Sequence, residues 1–399
     1  MIDSDTSSIL AGARDRFAGA TDFTLGIEEE FQILDPVTLA LANRYEEFID
    51  AAPPKLAGQL DGELIASEIE HKTRPHARFD DAAIDLARGR LELCALAETL
   101  DAKIAITGAH PFSPWTAQRI IRTPHYDRVV GNLGYVAWIN NTWAVHLHCG
   151  VRDADRAIYV CTRMREVLPE LLALSANSPL YSGRDAWMAS IRTQLFIRNL
   201  PRCGISDPFR DWNDYARFVA LLERTGSIAE STELWWSVRP HPAFGTVEVR
   251  ICDGQTEARH ALALAALGVA LIADCCAEYD DDRRRAPHPR GHIEENLWRA
   301  ARYGLDGELI DLDTGDARPA RTAITALLDR TRDHHGPLRL GPWLDGVSDM
   351  LDHGNGAIRQ RALFDRFDGD LVRTHAEAVA RTRASAEEVV RGHAPLATP

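Results

Sequence analysis

The sequence predicts an α+β protein: one mostly antiparallel sheet, curled into an open funnel, with helices packed on its outer side. Two observations carry this. Strand-like segments recur at long intervals with helical patterns between them, without the tight alternation that builds a parallel sheet. In addition, four of the strand-like segments each place two charged or metal-liking side chains on one face, since residues i and i+2 of a strand share a side. A sheet curled around such faces makes a polar funnel.

The elements follow in chain order. MIDSDTSSILAGARDRF has no apolar leader pattern, so residues 1–21 read as a lead-in or short helix ahead of one domain over residues 22–399. Residues 23–34, FTLGIEEEFQIL, are apolar and β-favouring, and predict the first strand. Residues 63–73, 103–108, 142–151 and 235–251 predict the others. Helical periodicity covers 80–100, 154–174, 211–224, 257–278, 293–303, 320–333 and 358–391, which gives the domain a helical C-terminal portion. The longest apolar run, Ala261 to Ala273, closes on Asp274 and is shorter than the roughly 20 residues of a membrane span, so it reads as a core helix. Residues 280–291 and 311–319, rich in Asp, Pro and Gly, read as surface loops.

Bulk composition excludes several functions. The 399 residues carry a net charge of −14, which would repel nucleic acid in the absence of a basic stripe. The one basic cluster, Arg283 to Arg285, follows Asp280 to Asp282 and neutralises it. Seven cysteines, an odd number with no C-x-x-C spacing, fit buried thiols in a reducing compartment. The expectation is a soluble cytoplasmic protein with no membrane or nucleic-acid partner.

The glutamate run at 28–30 poses the chemical question. A buried, uncompensated carboxylate costs several kcal/mol. By alternation Glu28, Glu30 and Gln32 share one face, and Glu29 falls on the other as a surface or salt-bridged residue. The same rule groups Glu68, Glu70 and Lys72, then His146 with His148, then Glu248 with Arg250. One such pair alone is ordinarily a solvated face; four together point to a lined site. Carboxylates outnumber imidazoles and no thiolate cluster is present, a set suited to Mg²⁺ or Mn²⁺ rather than zinc. Such ions holding a polyphosphate beside an arginine are phosphoryl-transfer equipment. No G-x-x-x-x-G-K-[ST] loop is present, so metals and side chains would hold the phosphates.

The stretches LGIEEEFQILDP, GAHPFSPW, VHLHCG, LPELLALSANSPL, FGTVEVRICD, EENLWRAARYGLDG and HGNGAIRQR occur in that order. Together they resemble the carboxylate–amine ligases of the type 2 glutamate–cysteine ligase family, in the glutamine synthetase/guanidino kinase superfamily. The resemblance covers roughly residues 22 to 385. It implies a glutamine-synthetase-like catalytic domain with ATP at one end of the funnel, the acid substrate at the other, and metal ions between. It further implies Glu28, Glu30, Glu70, His146 and Glu248 as metal ligands, with Glu63 as a partner of Glu70. Glu63 lies seven residues before Glu70, on the opposite face of an unbroken strand, so a turn near Asp61–Gly62 or a bulge is required. His148 would approach the nucleotide phosphates, and Arg250 would face them as the catalytic arginine. Arg192 and Arg239 would grip the substrate carboxylate. Cys149 departs from the family pattern and points away from the funnel.

The implied reaction phosphorylates a carboxylate with ATP and lets an amine displace phosphate to leave an amide, possible products including the γ-glutamylcysteine type. Its partners would be a small carboxylic acid and a small amine, and the chain a homo-oligomer. A metal-dependent hydrolase on the same fold and a catalytically silent nucleotide- or metal-binding protein are the alternatives.

Overall fold

A computed structural model describes residues 7–393. Its strands, in chain order, are β1 (Leu25–Leu34), β2 (Leu60–Asp61), β3 (Glu68–Lys72), β4 (Lys103–Ala105), β5 (Val145–Gly150), β6 (Leu180–Tyr181), β7 (Arg184–Asp185), β8 (Val238–His241), β9 (Thr246–Val249), β10 (Glu308–Ile310) and β11 (Ala317–Pro319). Seven form one open sheet in the order β2-β3-β1-β5-β9-β8, with β4 paired to the end of β1. Every pairing in it is antiparallel. The fold class is therefore as expected: α+β, an open antiparallel sheet backed by helices.

The back of the sheet is apolar and buried. Ile27, Leu147, Cys149, Val247 and Val249 join the main core with the helix Ala258–Asp280. That helix is long and apolar enough to cross a membrane, but 89% of its most apolar stretch is buried inside the protein, so it is a core helix. Phe31, Ile33 and Ile69 pack against Leu93 and Leu96 of a second helix, Phe79–Thr99. This helix docks closely because Gly89 has no side chain: a Cβ there would lie 2.0 Å from the His71 ring. The next residue, Arg90, donates from Nε to Glu29 at 2.7 Å and to the carbonyls of Gln255 and Thr256. Glu29 is thus the salt-bridged residue that alternation puts behind the sheet, and it is 1% exposed.

Several element boundaries differ from expectation. Residues 235–251 form a hairpin, β8 and β9, rather than one strand; the chain turns at Gly245, whose φ of +66° favours glycine. Residues 154–174 break into helices Ala154–Met164 and Leu168–Ser175 around a 3₁₀ turn, because Pro169 lacks an N–H and would crowd the carbonyl four residues back. Residues 358–391 divide into Gly356–Arg366 and Leu371–Gly392, with Gly369 at φ +83° in the break. Residues 311–319 are not wholly loop, since β11 pairs with β10 there. Unanticipated helices include Tyr45–Ala51, Pro124–Leu133, Ile191–Ile197 and Gly341–His353. The lead-in contains the helix Ala13–Gly19, with Ala13 and Phe17 in the main core; residues 1–6 lie outside the described residues.

Candidate active site

The front of the sheet faces a cavity of about 510 Å³. Register assembles its polar face. Glu30 stands opposite Glu70, Glu28 opposite both Lys72 and His146, His148 opposite Glu248, and Glu248 opposite Arg239. Four antiparallel pairings thus bring residues far apart in sequence to one surface. Glu63 reaches the same cavity from the segment after β2, since a turn through Leu64–Ser67 separates it from β3. The required break is present.

Electrostatics divide the cavity into two ends. At one, Glu248 accepts from Arg239 Nε at 2.6 Å and Nη2 at 3.2 Å, and from Arg250 Nη1. Burial pushes the Glu248 carboxyl up, but the two guanidiniums outweigh it and hold it well below the usual range. Burial likewise opposes ionisation of Glu28, and His148 followed by His146 overcomes it. His148 Nε2 lies 3.4 Å from Glu28 Oε1, and its Nδ1 is 3.0 Å from the Thr246 hydroxyl. At the other end lie Glu63, Glu68 and Glu70. Burial first, and neighbouring carboxylates second, push all three carboxyls up, Glu63 to about 8. Lys72 Nζ bridges Glu70 at 2.9 Å and Asp61 at 3.0 Å. That end holds more carboxylate than its cations neutralise.

His146 is the pivot between the two ends. It is 2% exposed, and neither ring nitrogen has a hydrogen-bond partner among the described residues. Its Nδ1 lies 3.4 Å from Glu28 and its Nε2 3.7 Å from Glu30. Two donor triads contain it, Glu28–His146–Glu248 and Glu30–Glu70–His146, each with ligand atoms within 4.8 Å of one another. An orphaned buried imidazole amid surplus carboxylates fits a hard divalent cation such as Mg²⁺ or Mn²⁺.

The two arginines expected to grip a substrate carboxylate line the cavity, but their donors are committed elsewhere. Arg239 also donates to the carbonyls of Thr232 and Leu234, so it holds Glu248 against the hairpin. Arg192 donates to the carbonyls of Ile251 and Arg250, pinning the chain just after β9. Both terminal nitrogens of Arg192 are thus engaged, whereas Arg250 is bonded only through Nη1 among the described residues, which leaves its Nη2 better placed to reach a ligand. All seven cysteines are buried free thiols, and burial pushes the Cys149 thiol up behind the sheet.

Glu68, grouped with Glu70 by alternation but given no role, lines the cavity, and so does His241, which follows from Arg239 in the same way. Tyr126 gives no local signal; it arrives because the helix Pro124–Leu133 lies over the Glu63 segment, its hydroxyl donating to the Gly62 carbonyl at 2.5 Å.

The chain matches the profile of Glutamate-cysteine ligase family 2 over residues 24–389. A protein of Rubrobacter xylanophilus provisionally named glutamate–cysteine ligase 2-2 is 38% identical over 311 residues, 78% of this chain and 80% of that protein. Another from the same organism, provisionally named glutamate–cysteine ligase 2-3, is 38% identical over 89% of this chain and 96% of its own. Among solved structures, a glutamate–cysteine ligase of Francisella tularensis in complex with AMP superposes with a TM-score of 0.62 at 15% identity, over 93% of this chain and 95% of that one. A bifunctional glutathione synthetase of Pasteurella multocida gives 0.61 at 14% identity, over 95% of this chain and 54% of that one. The two structures share the fold. With that fold and the profile match across most of its length, the chain belongs to Glutamate-cysteine ligase family 2 and is an ATP-dependent carbon–nitrogen ligase.

Proposed function

We propose that the cavity activates a small carboxylic acid by phosphorylation from ATP and joins it to a small amine, with glutamate and cysteine as the first pair to try. The observation that carries this reading is the orphaned His146 among converging carboxylates, beside Arg250 on the same face. Glu28, Glu30, Glu70, His146 and Glu248 would hold Mg²⁺ or Mn²⁺, with Glu63 joining from its loop. Bound ions would supply neutralisation of the phosphate charge.

The side chains do the rest. Arg250 forks onto oxygens of the transferring group, where a planar guanidinium gives two aligned donors. His148, held through Thr246, turns its Nε2 toward the same region. Arg239 fixes Glu248, and Arg192 fixes the backbone from which Arg250 projects. A carboxylate oxygen attacks the γ-phosphorus and ADP leaves; the amine nitrogen then attacks the acyl carbon, phosphate leaves, and a proton is lost from nitrogen. No covalent enzyme intermediate is required.

The reading also takes the chain as a cytoplasmic homo-oligomer with one catalytic domain over residues 22–399. Trp187 and Tyr303, 73% and 51% exposed, support the oligomer as apolar surface on segments joined by the Ala189–Ala301 hydrogen bond. Light scattering on the purified chain tests it. For the reaction, ADP release is measured over a panel of acids and amines with Mg²⁺ or Mn²⁺. ADP that appears only when acid and amine are both present, with an amide product, is expected. Amine-independent hydrolysis of ATP, or no turnover and no nucleotide binding, would replace the reading with a hydrolase or a silent binding protein.

A further inference from the structure

A second cavity, of about 290 Å³, lies beside the catalytic one and takes no part in the chemistry above. The two share Leu200, and consecutive residues Trp235 and Trp236 line the first and the second respectively. Its apolar wall is aromatic. Trp236 stacks on Phe218 with centroids 5.7 Å apart, and Phe209 tilts against Trp236 at 5.6 Å.

Its charged lining is unusually under-paired. Arg202 has no carboxylate partner among the described residues; its Nε donates to the Glu233 carbonyl at 3.3 Å and its guanidinium lies over Trp235. Arg290 uses only Nε, on Glu294 at 2.7 Å. Asp207 lines the cavity, is exposed, and joins no ion pair among the described residues. Behind this wall sits Arg165, 1% exposed, with Nε and Nη1 unpartnered and only a 3.3 Å bond from Nη2 to the His288 carbonyl. Burial lowers its pKa to about 10 against the opposing pull of Glu166 and then Asp207, with Arg290 adding to the depression. A buried guanidinium with no carboxylate in direct ion-pair contact is costly, and Glu166 and Asp207 offset that only from a distance.

We propose that this cavity binds a free α-amino acid with an aromatic or other apolar side chain. The carboxylate sits on Arg202 and Arg290, the ammonium on Asp207, and the side chain against Phe209, Phe218 and Trp236. A guanidinium pair beside one carboxylate matches a zwitterion, whereas a simple acid would leave Asp207 opposed and a simple amine would leave the arginines unpaired. The site is distinct from the catalytic face but coupled to it. Ile197, on its wall, ends the helix whose Arg192 holds the carbonyl of Arg250. An occupant therefore bears on the chain segment that aims Arg250, which makes the cavity a regulatory seat.

The test is calorimetric titration of L-phenylalanine into the full chain without ATP or divalent ions. Saturable one-to-one binding is expected, weakened about tenfold or more by Arg202→Gln and by Asp207→Asn, as for the loss of one charge-assisted hydrogen bond. Both side chains reach solvent, and unchanged melting curves establish that the variants fold. 3-Phenylpropionate should bind more weakly than phenylalanine and lose nothing further in Asp207→Asn; phenethylamine should be the weaker ligand in the wild type and lose nothing in Arg202→Gln. No saturation up to about 10 mM, or binding indifferent to both variants, overturns the proposal. So does binding that survives both variants but is lost in Glu63→Gln, which would locate the amino acid in the catalytic cavity.

Discussion

At the scale of single residues, Arg250 concentrates the chemistry. Its Nη1 is bonded to Glu248 while Nη2 makes no hydrogen bond among the described residues, so one guanidinium can keep its neighbour and still reach a phosphoryl oxygen. Charge on that oxygen changes during transfer, so the contact should count for more in the transition state than in the bound ground state. Arg250→Lys is expected to lower kcat by roughly 10²-fold or more, as for other lost charge-stabilising donors, with little change in ATP affinity. Single-turnover ADP formation, ATP binding and melting temperature on the one variant decide it; near-normal chemistry with a lowered Tm would make Arg250 merely the partner of Glu248. This residue was legible in the sequence because two-residue alternation in TVEVR is insensitive to where the strand ends. Arg192 and Arg239 were legible only as cations near the site. What they bond to depends on backbone carbonyls brought in by other segments, and no local pattern reports that.

At the scale of elements, the decisive contact joins the helix Phe79–Thr99 to the back of β1. Arg90 is fully buried and meets Glu29 in a two-pronged pair. Removing one charge strands the other in the core. Glu29→Gln is expected to cost about 3–5 kcal/mol of stability, the usual range for half of a buried pair. Urea unfolding measures it, and the turnover of the folded variant should be nearly unchanged, because Glu29 faces away from the cavity. A loss below about 1 kcal/mol would mean that water or a neighbour replaces the partner. The alternation that put Glu29 behind the sheet was readable from three consecutive glutamates; its partner 61 residues away was not. Elements were misread where a single turn decided the outcome. The hairpin turn around Pro242–Gly245 lacks the Asn-Gly or Asp-Gly pair that announces a two-residue loop. Pro169 and Gly369, by contrast, were visible breakers inside segments whose periodicity masked them.

At the scale of the whole molecule, the carboxylate surplus should set how stability depends on pH and metal. Glu63, Glu68 and Glu70 have folded pKa values above their unfolded ones, Glu63 at about 8. Each stabilises the fold while protonated, and that contribution is lost as pH rises from the ordinary carboxylate range through the folded value. Glu28 and Glu248, held low, act in the opposite sense: their contribution is present above the ordinary carboxylate range and disappears as pH falls through their folded values. The metal-free chain should therefore melt highest in mildly acidic solution and lose Tm toward about pH 8, and Mg²⁺ should raise Tm more at about pH 8 than at about pH 5.5. Scanning fluorimetry in chelator and in Mg²⁺ checks both statements; a chelated Tm flat in pH, or an equal gain at both values, would count against them.

The position of β1 has a kinetic counterpart. It is hydrogen-bonded along both edges, to β3 on one side and β5 on the other, with a helix across its back. Its amide protons can reach solvent only when the sheet comes apart, whereas the amides of Glu63 and Leu64 donate no backbone hydrogen bond among the described residues. In deuterated water the amides of Glu28 to Phe31 should exchange among the slowest in the chain, and those of Glu63 and Leu64 orders of magnitude sooner, as measured by exchange mass spectrometry. A permanent half of the site, written into the sheet, would then face a half that breathes, and a ligand would have its way in and out on the side of Glu63.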